Sequence, residues 1–373
     1  MKTQNPNYLT KLAKCLEDVL PPNATDVSVH DIHRFKEQGA TSVMYSFVLT
    51  YISEGLKQRK DFVLRLYKAG SEKNALKEFS LLKALKEYNI PVPTAYCFEA
   101  DNRIMRKPFM IMEKIIGKNA SHYLNDEVKA QVIIDKMAKI LVRLHKLDPN
   151  CIQNSNVLQQ QYELRQQRLL KIRFFINKRC MNFLGFCPLR ERRFIKAVKR
   201  LEEVKPKKFR PTLLHLDYEP DHVIVSNGQF IIVDWGEASI GDPAFDVAWA
   251  YHKLRLGREM AKVDLGEHFV KSYEKYMGQR LVNLQFCKDM VAIEIALLFV
   301  LSPFHARAGK FRNYAKLVDL TFGNIFGKLL GAKELHRMQR LMALHHNKIY
   351  SNIEYIQSYA TQYLERDRYS TKN

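Results

Sequence analysis

The chain has 373 residues, 46% of them hydrophobic and 27% charged, a balance that excludes a disordered or low-complexity protein and suits more than one folded lobe. Sixty Lys and Arg against 39 Asp and Glu leave a net charge of +21, which favours an anionic partner or a phosphorylated substrate. The six cysteines (Cys15, Cys97, Cys151, Cys180, Cys187 and Cys287) lie at irregular spacings without a CxxC pair, so neither a zinc site nor a disulfide framework is expected.

In chain order, Leu9, Leu12, Leu16 and Leu20 mark an amphipathic first helix rather than an apolar leader. VSVHDIHRFKEQGATSVMYSFVLTYIS then reads as strand, Gly-containing turn and strand, and DFVLRLYK as a third strand. SEKNALKEFSLLKALKEYNI carries Leu76, Phe79, Leu82 and Leu85 at helical spacing and stops at Asn89 and Pro91. PTAYCFEADNRI and KPFMIMEKIIG read as two further strands. Sheet, one helix and sheet make a small α+β lobe over residues 1–115, and the mostly helical remainder, 116–373, makes a larger second lobe. Residues 300–373 have helical spacing and high charge but no assignable motif. The longest apolar run, Val291 to Leu301, is broken by Glu294 and too short for a bilayer core of about 30 Å. A soluble, cytoplasmic protein without a membrane partner is the expectation.

Charge concentrates between Gln160 and Arg210, where 16 Lys or Arg meet only four Glu, interleaved with Phe174, Phe175, Phe183, Phe186 and Phe194. Charge runs are usually solvated helix faces. The alternative is a face for an anionic acceptor. A nucleic-acid role is the less favoured reading, because no RNA-recognition signature accompanies the charge.

The chemistry concentrates in LLHLDYEPDHVIVSNGQFIIVDWGEASIGDPAFDVAWA, residues 213–250. The run VIV, the turn SNG and the run FIIV predict a β-hairpin, since Asn-Gly readily takes the positive φ angles of a tight turn. The hairpin would bring Asp217, before its first strand, to Asp234, after its second. Two converging carboxylates suit phosphoryl transfer, one taking the proton of an attacking hydroxyl and one holding a divalent ion on nucleotide phosphates.

HLDYEPDHVIV and IIVDWGEASIGDPAFDVA resemble the catalytic and metal-binding segments of the kinase-like small-molecule phosphotransferases, of the aminoglycoside phosphotransferase and choline kinase type. The resemblance runs over roughly residues 30–300 and implies an α+β, protein-kinase-like fold of two lobes: a small antiparallel-sheet N-lobe with one main helix, and a larger helical C-lobe. It implies Asp217 as catalytic base, Asp234 as metal ligand, Asp242 and Asp246 as acids bracing the catalytic loop, and His145 as a structural residue. Arg65 takes the strand position of the family's phosphate-binding Lys, with Glu78 as its helix partner, and Arg suits phosphate oxygens as a fork. Gly39, Ala40, Thr41 and Ser42 resemble a weakly glycine-rich phosphate loop. The backbone from Glu113 to Ile115 resembles the hinge that hydrogen-bonds a purine.

The implied activity is ATP- or GTP-dependent phosphorylation of a small-molecule hydroxyl with Mg²⁺. Two positions depart from the pattern. Leu216 replaces a Gly, which implies that the backbone there needs no positive φ. His222 replaces the second metal-binding Asn, and imidazole suits ions softer than Mg²⁺, so Mn²⁺ enters as an alternative and His222 as a metal ligand. Loss of that Asn also admits a kinase-shaped binding protein without turnover.

Overall fold

The computed structural model describes residues 6–35, 42–100, 107–151, 207–255 and 263–291. Contacts divide the chain into two compact units, residues 1–159 with 211–240, and residues 160–210 with 241–373.

In the first unit, five strands form an antiparallel sheet of order β1-β2-β3-β5-β4: β1 Thr25–Arg34, β2 Ser42–Ser53, β3 Leu56–Tyr67, β4 Ala95–Glu99 and β5 Phe109–Glu113. Side chains alternate across β3. Phe62, Leu64 and Leu66 point into a core shared with Leu12 and Leu16 from α1 (Pro6–Lys14) and the turn after it. The opposite face carries Arg65 and Tyr67, both bonded to Glu78 of α2 (Glu72–Glu87). Helix α2 buries Ala75, Glu78, Leu81, Leu82 and Leu85, spaced three and four apart as a helix packing on a sheet requires. Glu78 is therefore a carboxylate set inside an apolar stripe.

Helix α3 (Glu127–Lys146) starts at Asp126, whose side chain accepts the Lys129 N–H at 3.1 Å. It buries nine residues, His145 among them, and takes the Tyr218 hydroxyl on the Met137 carbonyl at 2.9 Å. A second sheet, β6-β8-β9, consists of Lys118–Asn119, Val223–Ser226 and Gln229–Ile232. Its β8–β9 hairpin turns at Asn227 (φ 47°) and Gly228 (φ 79°), both left-handed as the Asn-Gly pair predicts for a type I′ turn. Strand β7 (Thr212–Leu214) pairs with β10 (Ser239–Gly241).

In the second unit, α4 (Ala244–Arg255) is buried over most of its length and α5 (Leu265–Met277) is capped by Asp264, which accepts the Glu267 N–H at 3.1 Å. Asp242 precedes α4, accepts the Ala244 N–H at 2.9 Å, and receives the Asn283 side-chain amide at 2.6 Å. Asp246, in the first turn of α4, is fully buried. No helix among the described residues is long and apolar enough to cross a membrane.

Candidate active site

Four segments of the first unit meet around Asp234. Arg65, near the end of β3 and paired with Met44 and Met110 of the flanking strands, is 5% exposed. Its Nε donates to Ser42 Oγ at 3.0 Å, Nη1 to Glu78 Oε1 at 2.7 Å and Nη2 to Asp234 Oδ1 at 2.9 Å. Tyr67, two residues along the same face, donates its hydroxyl to the other Glu78 oxygen at 2.9 Å. Burial pushes the Glu78 carboxyl above the ordinary carboxylate range, outweighing the attraction of Arg65. For Arg65 the balance is the reverse: burial would lower its basicity, but Glu78, Tyr67 and Asp234 hold the guanidinium firmly charged.

The segment from His215 to His222 is organised by two histidines. His215 is fully buried, with its ring 4.6 Å from that of Trp235. Its Nε2 donates to the Val233 carbonyl at 3.0 Å and its Nδ1 accepts the Asp217 N–H at 3.2 Å, which fixes the tautomer. One imidazole thus ties the backbone of Asp217 to the residue before Asp234. His222 ends a short 3₁₀ turn, Pro220–His222, and its Nδ1 donates to the Asp217 carbonyl at 2.8 Å. In the neutral form this leaves the Nε2 lone pair on the side of Asp234, whose Oδ2 is 3.8 Å away.

Ligand atoms of Asp217, His222 and Asp234 all lie within 4.8 Å of one another. Two carboxylates and an imidazole at that separation suit a divalent ion that accepts mixed oxygen and nitrogen ligands. The electrostatics set a proton against a metal at His222. Burial would lower the His222 imidazole, yet Asp217, Glu219 and Asp234 together raise it. Burial would raise Asp234, yet Arg65 and His222 bring it below the usual carboxylate range, so it stays ionised. The cluster holds negative charge that either a second proton on His222 or a divalent cation in its place can meet.

Two backbone positions here are left-handed, Asp234 at φ 66° and Leu216 at φ 63°. The second overturns the expectation that a non-glycine residue at 216 signals ordinary backbone. Leucine takes the conformation that glycine would take freely, because its side chain, 5% exposed, is held by the packing around it.

The structure therefore brings together Arg65, Glu78, Asp217, His222 and Asp234, with Ser42 on Arg65 rather than free at a loop tip. Glu113, at the end of β5, is fastened to Thr94: its side chain accepts the Thr94 N–H at 3.0 Å and the Thr94 hydroxyl at 2.9 Å, and its N–H donates to the Thr94 carbonyl at 2.8 Å. The next N–H, of Lys114, goes to the Asp61 carbonyl at 3.3 Å, and Ile115 follows it. Gly39 and most of the basic segment, residues 152–206, lie outside the described residues.

Sequence reasoning missed Tyr67, Lys77 and Asn283. Lys77 donates to the Gly236 and Ala238 carbonyls, which no local pattern around it announces. The period-two spacing of Arg65 and Tyr67 could have flagged Tyr67 as a second partner for Glu78.

The sequence profile of the phosphotransferase enzyme family, APH, matches residues 48–278. A mouse protein, acyl-CoA dehydrogenase family member 10, is 26% identical over 227 residues, covering 56% of this chain and 20% of that protein. The chain thus matches about a fifth of the relative's length. Among solved structures, an aminoglycoside phosphotransferase-like protein from Ralstonia eutropha superposes with a TM-score of 0.57 at 15% identity, covering 90% of this chain and 96% of the other. The GDP and kanamycin complex of APH(2")-IIia gives 0.58 at 19% identity, covering 84% and 99%. A choline/ethanolamine kinase family protein from Mesorhizobium loti gives 0.50 at 13% identity, covering 90% and 99%. The α+β, kinase-like fold expected from the sequence is the fold of these structures.

Proposed function

Because the chain belongs to the phosphotransferase enzyme family, whose members phosphorylate hydroxyl groups, we propose that it transfers the terminal phosphoryl group of a nucleoside triphosphate, ATP or GTP, to a hydroxyl of a small molecule. The observation that carries this reading is the cluster of Asp217, His222 and Asp234 within 4.8 Å, with Arg65 bonded to Asp234 at 2.9 Å.

Asp217 is the group that orients the acceptor hydroxyl and takes its proton. His215 serves it by fixing its backbone. Asp234 and His222 would hold a divalent cation, which would neutralise charge on the phosphate oxygens. Arg65 offers further guanidinium N–H donors to the same phosphates, and the Glu113 carbonyl with the Ile115 N–H would hold the purine. The Asp217 hydrogen bond keeps the His222 proton on Nδ1, so a nitrogen lone pair faces the cation. Mn²⁺ should then serve at least as well as Mg²⁺. The basic stretch between Gln160 and Arg210 leads us to expect an acceptor that carries negative charge.

The test is a nucleotide-consumption screen over hydroxylated metabolites with ATP and GTP, run alongside nucleotide-induced thermal shifts. With an acceptor in hand, Asp217→Asn should lower turnover by about 10² to 10⁴ while nucleotide binding survives. Asp234→Asn should lose the metal-dependent part of nucleotide binding as well. Wild-type turnover in both variants would remove the assignment of the site, and thermal shifts without turnover on any acceptor would favour a binding protein.

A further inference from the structure

Helix α2 presents two successive charged residues to the segment around Asp234. The first link is the buried pair Glu78–Arg65, which ends on Asp234 Oδ1. The second is Lys77. Its Nζ donates to the Gly236 carbonyl at 3.0 Å and to the Ala238 carbonyl at 3.1 Å, spanning Glu237. Those carbonyls flank a turn closed by the Ala238 N–H on the Trp235 carbonyl at 3.2 Å. An ammonium with three donors can hold two such acceptors at once, and a single charged grip fixes the spacing between them.

We propose that Lys77 is a positioning residue for the metal-binding carboxylate, an inference that rests on the kinase reading above. Helix α2 then holds Asp234 by two routes. Glu78 and Arg65 fix the carboxylate, and Lys77 fixes the main chain that leaves it. Both are needed because Asp234 has a left-handed backbone at φ 66°, a conformation that persists in a non-glycine residue only where its surroundings over-determine it. The Gly236 and Ala238 carbonyls lie between the end of β9 at Ile232 and the start of β10 at Ser239, and Lys77 is a side-chain donor to both. Lys77 is itself partly removed from water. Burial lowers its ammonium below the ordinary lysine range, against the opposing pull of Glu237 and Glu78. A lysine serving only solubility would sit in water.

The test is isothermal titration of Mn²⁺·AMP-PNP, and of AMP-PNP in excess EDTA, into wild type, Lys77→Met and Lys77→Arg. Lys77→Met should weaken metal-dependent binding about ten-fold and metal-free binding less than about two-fold, and Lys77→Arg should recover most of the loss. Equal weakening under both conditions, or none, would overturn the proposal. Amide hydrogen exchange reads the grip without nucleotide. Exchange over residues 234–240 should be about ten-fold faster in Lys77→Met with α2 protection unchanged. Unchanged rates at 234–240 would overturn it. A wild type that binds no nucleotide refutes the kinase reading, and the exchange rates then decide on Lys77 alone.

Discussion

Replacing Arg65 by methionine removes the cation from the most enclosed ion pair described in this protein. The Arg65 side chain is 6% exposed and that of Glu78 2%, so the orphaned carboxylate would have little water to turn to. Breaking a buried pair by deleting one partner costs about 3–5 kcal/mol, against at most about 1 kcal/mol for an exposed pair. Tyr67 still donates to Glu78 in the variant, which places the expectation near the lower end, about 3 kcal/mol, or roughly a hundred-fold in the folding constant.

The pH dependence follows from the sign of the Glu78 shift. Its folded value already lies above the unfolded one, so between the two the native state binds more protons and stability falls as pH rises. Without Arg65 the folded value moves further up and the window widens. The loss in Arg65→Met should therefore be smallest near pH 5 and grow toward pH 8, as read by urea unfolding at each pH. In a Glu78→Gln background no carboxylate is left to strand, and the same Arg65 replacement should cost less by about 2 kcal/mol. A loss independent of pH, and equal in the two backgrounds, would refute the reasoning.

Leu216→Ala and Leu216→Gly both empty the side-chain site, glycine by one methyl more, but only glycine relieves the left-handed backbone, so the glycine variant should be the more stable of the two, by up to about 1 kcal/mol in urea unfolding. A more stable alanine variant would show that any strain there is smaller than glycine's cost in chain entropy and lost packing. His222→Asn should shift the metal ranking from Mn²⁺ toward Mg²⁺ in nucleotide binding measured with each ion, and an unchanged ranking would make His222 a packing residue. Burial lowers the His252 imidazole to about 4, although its Nε2 bond to the Lys288 carbonyl at 2.8 Å pulls the other way. The unfolded chain binds that proton near pH 6.5, so stability should be lost as pH falls from about 6.5 through about 4, by up to about 3 kcal/mol. His252→Gln should flatten that part of the stability–pH curve, and an unchanged curve would exclude His252 as its source.

The local chemistry of the sequence determines a good deal of this protein. Asn227 and Gly228 specify their hairpin because the turn needs two positive φ angles and these residues supply them at little cost. The spacing of Leu82 and Leu85, the Pro91 stop and the alternation along β2 and β3 fix the first helix-on-sheet arrangement, since each element's apolar period must match its geometry. The motif around Asp217 and Asp234 pointed to a shared mouth because the hairpin between them is short.

What only the tertiary structure decided are interactions whose partners lie far apart in the chain or whose conformation contradicts local preference. Arg65 reaches Asp234 across 169 positions, and Lys77 reaches Gly236 across 159. Neither sequence window carries a trace of the other. Ser42, grouped with a glycine-containing loop by its neighbours, has its hydroxyl on Arg65. Leucine disfavours positive φ, so no reading of local sequence places Leu216 there. The surrounding core imposes it, because burying that side chain is worth more than the strain of about 1–2 kcal/mol in the backbone beneath it.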